Sequence, residues 1–167
     1  MNRRMLRLCA LSLTTMSALS LLVYPLTRSG GAAYGAAPGD FAAGGGKVAG
    51  NAQIAFAASS GPNGEDPDGH VSVQSIDPND KDTKFQGNVV CFQVDGKRAV
   101  LVYQITQSTP AERQGLYGII WVEDNGEPVG GQPVDKINTN GYFPTPPPCV
   151  IAPGVVNFEG NITVRDR

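Results

Sequence analysis

Hydrophobic and polar residues alternate in short runs along much of the chain, and the two-residue period of this alternation is typical of half-buried β-strands. In residues 53–59, the side chains of Ile54, Phe56 and Ala58 fall on one side of an extended chain. Comparable runs predict further strands over residues 70–76, 116–122, 134–138 and 157–166. The chain is therefore expected to consist mainly of strands.

The densest run of β-branched and aromatic residues, residues 85–106, predicts a β-hairpin. Asp95-Gly96 interrupts the run and suits the positive φ angles of a two-residue turn. With these turn residues, one face carries Val90, Phe92, Val94, Leu101, Tyr103 and Ile105, and the other carries Phe85, Val89, Cys91, Val100 and Val102. Because both faces are apolar near the middle, we expect the hairpin to be covered on both sides.

Turn-forming residues separate the predicted strands. The segments 61–69, 77–82 and 123–132 are rich in glycine, proline, aspartate and asparagine. We therefore predict an all-β fold, an antiparallel meander of about seven to eight strands that closes into a small barrel. Closure would pair the last strand with the first and remove exposed edges.

An immunoglobulin-like β-sandwich is the alternative fold. The order Cys91, Trp121, Cys149 superficially fits that family. However, Cys149 stands among prolines, and Pro147 occupies the position at which the tyrosine corner requires tyrosine. The barrel is therefore favoured.

Residues 1–36 have the parts of a secretory signal. Arg3, Arg4 and Arg7 give a positive start, residues 8–26 are mostly apolar, and a small, glycine-rich stretch follows. We predict a signal peptide over 1–36, a flexible Gly/Ala-rich leader over 37–46 and a single β domain over 47–167. An uncleaved anchor over residues 8–26 is the alternative, and after cleavage no membrane span is expected.

Charge limits the classes of partner. Of the thirteen basic residues four precede residue 37, which leaves nine against fifteen acidic residues and a net charge of −6. Nine scattered cations hardly make the basic patch that nucleic acid or an anionic membrane surface needs. The exported chain is thus expected to be a secreted or cell-surface domain that does not bind nucleic acid.

Two cysteines, Cys91 and Cys149, remain after cleavage and predict one disulfide in an oxidising compartment. The chain-entropy account gives about 4 kcal/mol for closing a loop of this size. Residues 140–153 are too rich in proline for a central strand. We expect the disulfide to hold this segment against the hairpin, so that Tyr142, Phe143 or Val150 covers the apolar face around Cys91. Two free buried thiols are the alternative.

Candidate catalytic and metal-binding residues are few. His70 is the only histidine, and its spacing to Asp66 and Asp68 is a crude metal-ligand pattern, but a proline and a glycine in this stretch favour a turn. No Gly-x-Ser-x-Gly motif is present to position a serine nucleophile. The acidic residues of 77–82 lack the glycine and the glutamate of a calcium-binding EF-hand loop. We therefore predict no catalytic residue, no metal site and no cofactor.

Three aromatic residues, Tyr103, Tyr117 and Trp121, are candidates for the walls of a cavity that encloses a small apolar ligand. The alternative is that they belong to the packed core, as aromatic residues more often do. An interior cavity above about 300 Å³ would favour the ligand-binding interpretation, whereas a filled core would exclude it.

Several motifs together resemble a family. They are GGGK followed by AQIAFAAS, then GHVSVQS, FQGNVVCFQVDGKRAVL, WVEDNGEP and GNITVRD. Over roughly residues 44–166 the chain resembles an uncharacterised secreted bacterial β-domain that often follows choice-of-anchor segments in surface proteins. The resemblance implies export and a compact β fold, and it brings no activity and no functional residues.

The functional expectation is a secreted, non-enzymatic β-domain with a structural or binding role outside the cell. Its partner would be a cell-surface or extracellular protein or a small apolar ligand. The alternative is a small-ligand-binding β-barrel with an aromatic-lined cavity. The sequence does not identify the ligand.

Overall fold

The structure is a computed structural model that describes residues 39–48, 51–80, 82–127 and 134–167. The signal peptide predicted over residues 1–36 lies outside this part of the chain, as do residues 37 and 38 of the predicted leader. The described residues form eight strands: β1 (Asp40–Val48), β2 (Ala52–Ser60), β3 (Asp68–Ser75), β4 (Lys84–Asp95), β5 (Arg98–Thr109), β6 (Tyr117–Glu123), β7 (Lys136–Phe143) and β8 (Val156–Arg165). One short 3-10 turn, Ala111–Arg113, lies between β5 and β6.

Each strand pairs antiparallel with the next, and β8 pairs with β1, so the sheet closes into a barrel. The predicted all-β meander barrel is confirmed, and the immunoglobulin-like sandwich is excluded. Within the described residues, no helix is long and apolar enough to cross a membrane.

Strand β1 corrects the expected boundary between leader and domain. Residues 40–46, expected in a flexible leader, lie in a strand that pairs with β2 on one side and β8 on the other. Its alanines and glycines have neither hydrophobic alternation nor high β-propensity, so the pattern did not predict it. Their small size is nevertheless required, because a Cβ on Gly44 would meet the Phe56 ring and one on Gly46 would meet the backbone of Glu159.

The hairpin of β4 and β5 forms as predicted, but the predicted register is wrong. Asp95 pairs with Arg98, so Gly96 and Lys97 form the turn, and Gly96 takes the positive φ of +58°. A β-bulge between Val89 and Cys91 leaves Val90 out of the pairing, and Val90 is 40% exposed. The bulge shifts the alternation by one residue.

This shift changes which residues of β4 face the barrel interior. Phe85 and Val89 lie in the interior core together with Phe92, whereas the unshifted register placed them on the opposite face from Phe92. Cys91 lies on the outer face with Val100 and Val102, as expected. The interior core is filled by residues of all eight strands.

The outer face of β5 and β6 is also covered, as predicted. Cys91 and Cys149 form a disulfide with a Cα–Cα distance of 6.3 Å, which indicates an oxidising environment. The disulfide holds residues 144–155, which we call the strap, over the apolar outer cluster of Val100, Val102 and Ile119. Two free thiols are thereby excluded.

The side chains that cover this cluster differ in part from the expected ones. Phe143 and Ile151 pack against it, but Val150 is 63% exposed. Val150 instead contributes its carbonyl oxygen, which accepts a hydrogen bond of 2.8 Å from the indole Nε1 of Trp121. Tyr142 lies on the other side of the sheet, against Phe85.

The seam between β7 and β8 is short. In the described chain, its ladder consists of the pairs Lys136–Asn157 and Ile137–Val156. Farther along this edge of β8, two backbone amides donate hydrogen bonds to carboxylates. The Ile162 amide donates to Asp135 Oδ2 at 2.6 Å, and the Val164 amide donates to Asp124 Oδ2 at 2.9 Å. The first and last residues of the connection from β6 to β7 therefore help to close the barrel through their side chains.

Candidate functional site

The three aromatic residues proposed for a cavity wall do not meet in one cavity. Tyr103 is buried in the barrel interior, at 4% exposure. Tyr117 and Trp121 alternate with the interior residues of β6 and lie on the outer face, where Trp121 packs beneath the strap. Tyr117 and Trp121 therefore cannot line an interior cavity.

A cavity of about 510 Å³ opens at the barrel end where β1 stops and β2 begins. We call it the mouth pocket and define it by the buried Ile54, Phe85 and Tyr103 at its floor and the exposed Asn51, Thr139 and Tyr142 at its rim. It lies where β7, beyond its short ladder with β8, has no described strand on its other side. The opening therefore results from the short seam.

Tyr103 fits at the floor because it pairs with Gly118 on β6 and its ring reaches over Gly87 on β4. A Cβ on Gly118 would meet the ring and hydroxyl of Tyr103, and a Cβ on Gly87 would lie 2.9 Å from its ring. The ring stacks on Phe85, with centroids 6.2 Å apart and planes 10° apart. Burial, with a smaller contribution from the neighbouring Tyr142, raises the pKa of the Tyr103 phenol far above its usual range.

Tyr142 forms the rim opposite this floor. Its ring meets Phe85 edge-on, with centroids 6.1 Å apart, and the Arg113 guanidinium lies 4.6 Å from its centroid. Its backbone has a φ of +71°, which is rare for a residue with a large side chain. Such strain persists only where surrounding contacts hold it, and it is concentrated at functional sites.

Other pockets lie at the surface of the described part of the chain. One of about 250 Å³ adjoins the mouth pocket and includes Asp77, Asp80 and Arg113, and one of about 360 Å³ lies over β3, β4 and β5 and includes Lys84. The third, of about 600 Å³, lies at the opposite barrel end beside Gly39, where the described chain begins. Its lining mixes Asp40, Glu65 and Asp66 with Arg165 and Arg167.

The weaker sequence candidates for metal binding do not form a cluster. His70 lies in β3, paired with Ala57 and Asn88, and is exposed. In the described ranges, no three histidine, cysteine, aspartate or glutamate side chains are grouped to hold a metal ion. Asp77 accepts a hydrogen bond from the Asn79 amide, which is ordinary turn chemistry.

Phe85 and Tyr142 were not recognised as site residues from the sequence. The bulge after Val89 hid the inward direction of Phe85. Tyr142 reaches this side through an irregularity in the pairing of β6 with β7: Tyr117 pairs with Phe143 and Gly118 with Gly141, which leaves Tyr142 between the paired residues. Regular alternation along the strand would have given Tyr142 the opposite direction, so the sequence carried no signal for it. Thr139 is likewise directed to the interior side, because it pairs with the core residue Ile120.

Comparison with known proteins adds no constraint. No known protein family, curated protein or solved structure matches this chain.

Proposed function

We propose that the chain is an exported, non-enzymatic binding module that holds a small ligand in the mouth pocket. The observation that carries this proposal is a preformed cavity of about 510 Å³ with a buried, mostly apolar floor and polar groups at its rim. Ligand sites in proteins have this size and this arrangement of surfaces. The barrel interior is filled, so the enclosed aromatic cavity expected from the sequence is not formed. The proposed site is instead a pocket at the barrel mouth, and its aromatic residues are Tyr103, Phe85 and Tyr142.

Export is part of the proposal. A disulfide between Cys91 and Cys149 fits a protein that works in an oxidising compartment. The predicted signal peptide over residues 1–36 and the resemblance to secreted bacterial β-domains agree with this location. We place the binding role at the cell surface or outside the cell.

The direct test is a substitution that fills the mouth pocket. Ala52 lines the mouth pocket, whereas Ala57 on the same strand is exposed on the outer face. We expect the neutral dye N-phenyl-1-naphthylamine to bind the exported protein with one-to-one stoichiometry. Ala52→Phe should weaken this binding by at least about tenfold by filling the cavity, and Ala57→Phe should leave it unchanged.

Equal binding by both variants, or no binding by the unmodified protein, would contradict the proposed function. Mass spectrometry of small molecules that co-purify with the exported protein gives the matching evidence on the natural ligand. A molecule retained by the unmodified protein and lost from Ala52→Phe would be assigned to the mouth pocket.

A further inference from the structure

The mouth pocket differs from the other pockets in its charge. Thirteen described residues line it, and none of them is charged. Each of the other three pockets includes charged side chains, among them Lys84 in one, Arg113 with two aspartates in the second, and residues of both signs in the third. An ionic ligand group would therefore find no described countercharge in the lining of the mouth pocket.

The polar groups that the pocket does offer are neutral and can both donate and accept hydrogen bonds. Asn51 contributes an amide and Thr139 a hydroxyl at the rim, and Tyr103 has a phenol at the floor. Such groups bind hydroxyl, carbonyl or amide groups of a ligand. Ile54, Val73 and Phe85 supply the apolar surface against which the ligand body would pack.

The burial of the pocket floor is a second reason why a charged ligand group would bind poorly. Tyr103 is 4% exposed, and its burial raises the pKa of its phenol because the charged form loses hydration there. The same loss of hydration acts on a charged ligand group that has no partner, and its cost is much larger than that of a neutral group with a hydrogen bond.

A cation of the adjoining pocket is already engaged. The Arg113 guanidinium lies against the Tyr142 ring, and it shares the adjoining pocket with Asp77 and Asp80. These charged groups lie beside the mouth pocket, and none of them belongs to its described lining.

From these observations we infer that the mouth pocket binds an uncharged ligand with an apolar body and at least one hydrogen-bonding group. This inference rests on the proposed function, since it specifies the chemistry of the molecule that the same pocket holds. It separates this barrel from binders of fatty acids and other ionic amphiphiles.

The test uses three probes that share one aromatic body and differ in charge: 2-naphthalenemethanol, 2-naphthoate and 2-naphthylmethylammonium. Their affinities for the exported protein are measured at neutral pH by isothermal titration calorimetry. We expect the neutral alcohol to bind at least about tenfold more tightly than either ion. Binding of either ion with equal or higher affinity would overturn the inference.

A second test introduces a negative charge at the rim of the mouth pocket and compares it with the same charge at a distant site. Thr139→Asp places a carboxylate at the rim, and Asn161→Asp places the same group on the exposed part of β8. We expect Thr139→Asp to raise the affinity ratio of the ammonium probe to the alcohol by at least about fivefold, through attraction to the new charge, and Asn161→Asp to leave the ratio unchanged. Circular dichroism checks that both variants fold, and an unchanged ratio in folded Thr139→Asp would count against the mouth pocket as the binding site.

The outcomes separate the two proposals. If none of the three probes and no dye binds, the proposed function fails, and the inference fails with it. If the dye binds and Ala52→Phe removes it, while 2-naphthoate or the ammonium binds as tightly as the alcohol, the function stands and the inference about charge fails. The relative affinities of the three probes for the unmodified protein decide the question of ligand charge, and no variant is needed for that comparison.

Discussion

Glycine positions make room for two aromatic side chains of the barrel interior, Tyr103 and Phe56. The Tyr103 ring occupies the space that side chains at Gly87 and Gly118 would otherwise take, and Phe56 has the same relation to Gly44. Each of these glycines lies beside an aromatic ring on a paired strand. The rings therefore pack against glycine backbone atoms, where a larger residue would leave no space. The mouth pocket therefore depends on residues that have no side chain of their own.

Gly118→Ala should destabilise the protein because the added methyl group would meet the Tyr103 ring and hydroxyl. Overpacking of this kind costs about 1–3 kcal/mol in the free energy of unfolding. Gly45→Ala is the matched control, since a Cβ at Gly45 has no atom within 4 Å. Urea denaturation of both variants measures the difference, and equal midpoints would contradict the packing described for Tyr103.

The raised pKa of Tyr103 predicts a stability that depends on alkaline pH. The folded state holds the phenolic proton more tightly than the unfolded chain, so this contribution is complete below the unfolded pKa of about 10 and is lost as pH rises through the folded pKa. In a spectrophotometric titration, we expect phenolate from Tyr103 to appear only when the fold is lost. Tyr103→Phe should remove this late increase in phenolate absorbance.

At the scale of the elements, the predictable strands are those whose two faces differ. Ile54, Phe56 and Ala58 alternate with exposed residues, and the burial of β2 follows that alternation without exception from Gln53 to Ser60. Strand β1 has no such contrast, since its glycines and alanines are small on both faces. The position of a β-bulge within an apolar run is likewise hidden, because Val89 and Val90 are the same residue type and either can face the interior.

The closing seam combines a short strand ladder with hydrogen bonds to a buried carboxylate. Asp135 is buried and accepts hydrogen bonds from the backbone amides of Ile162 and Asn125. Asp135→Ala should leave both amides without this partner, and an unsatisfied buried group costs about 1–3 kcal/mol. We expect lower stability and faster hydrogen exchange at the Ile162 amide, whereas Asp68→Ala, at an exposed site, should change neither. Unchanged exchange at Ile162 would argue against closure by this side chain.

At the scale of the whole molecule, the disulfide and the strap cover the outer face of β5 and β6, so a second buried apolar cluster forms outside the barrel. The chain-entropy account assigns about 4 kcal/mol to a cross-link between residues 58 positions apart. The cysteines and the apolar hairpin predicted this cover from the sequence, because a sheet with both faces apolar needs a covering layer. The mouth pocket was not predictable in the same way, since it arises from the short ladder between β7 and β8, which no residue pattern marks.

Removal of the disulfide by Cys91→Ser with Cys149→Ser should lower the free energy of unfolding by about 2–4 kcal/mol. Trp121 is the only tryptophan of the chain and lies beneath the strap, so its fluorescence reports on the strap directly. We expect a red shift of its emission in the double variant, as water reaches the indole. An unchanged emission and an unchanged midpoint of denaturation would contradict the role assigned to the strap.

Phe143 and Tyr142 are consecutive, and they belong to different neighbourhoods: the first packs beneath the strap and the second borders the mouth pocket. The sulfur bridge and the rim of the proposed ligand site are therefore separated by very little chain. A newly made polypeptide that still carries free thiols would have an unfinished rim. Under the proposed function, ligand capture would then begin only after oxidation of the two cysteines.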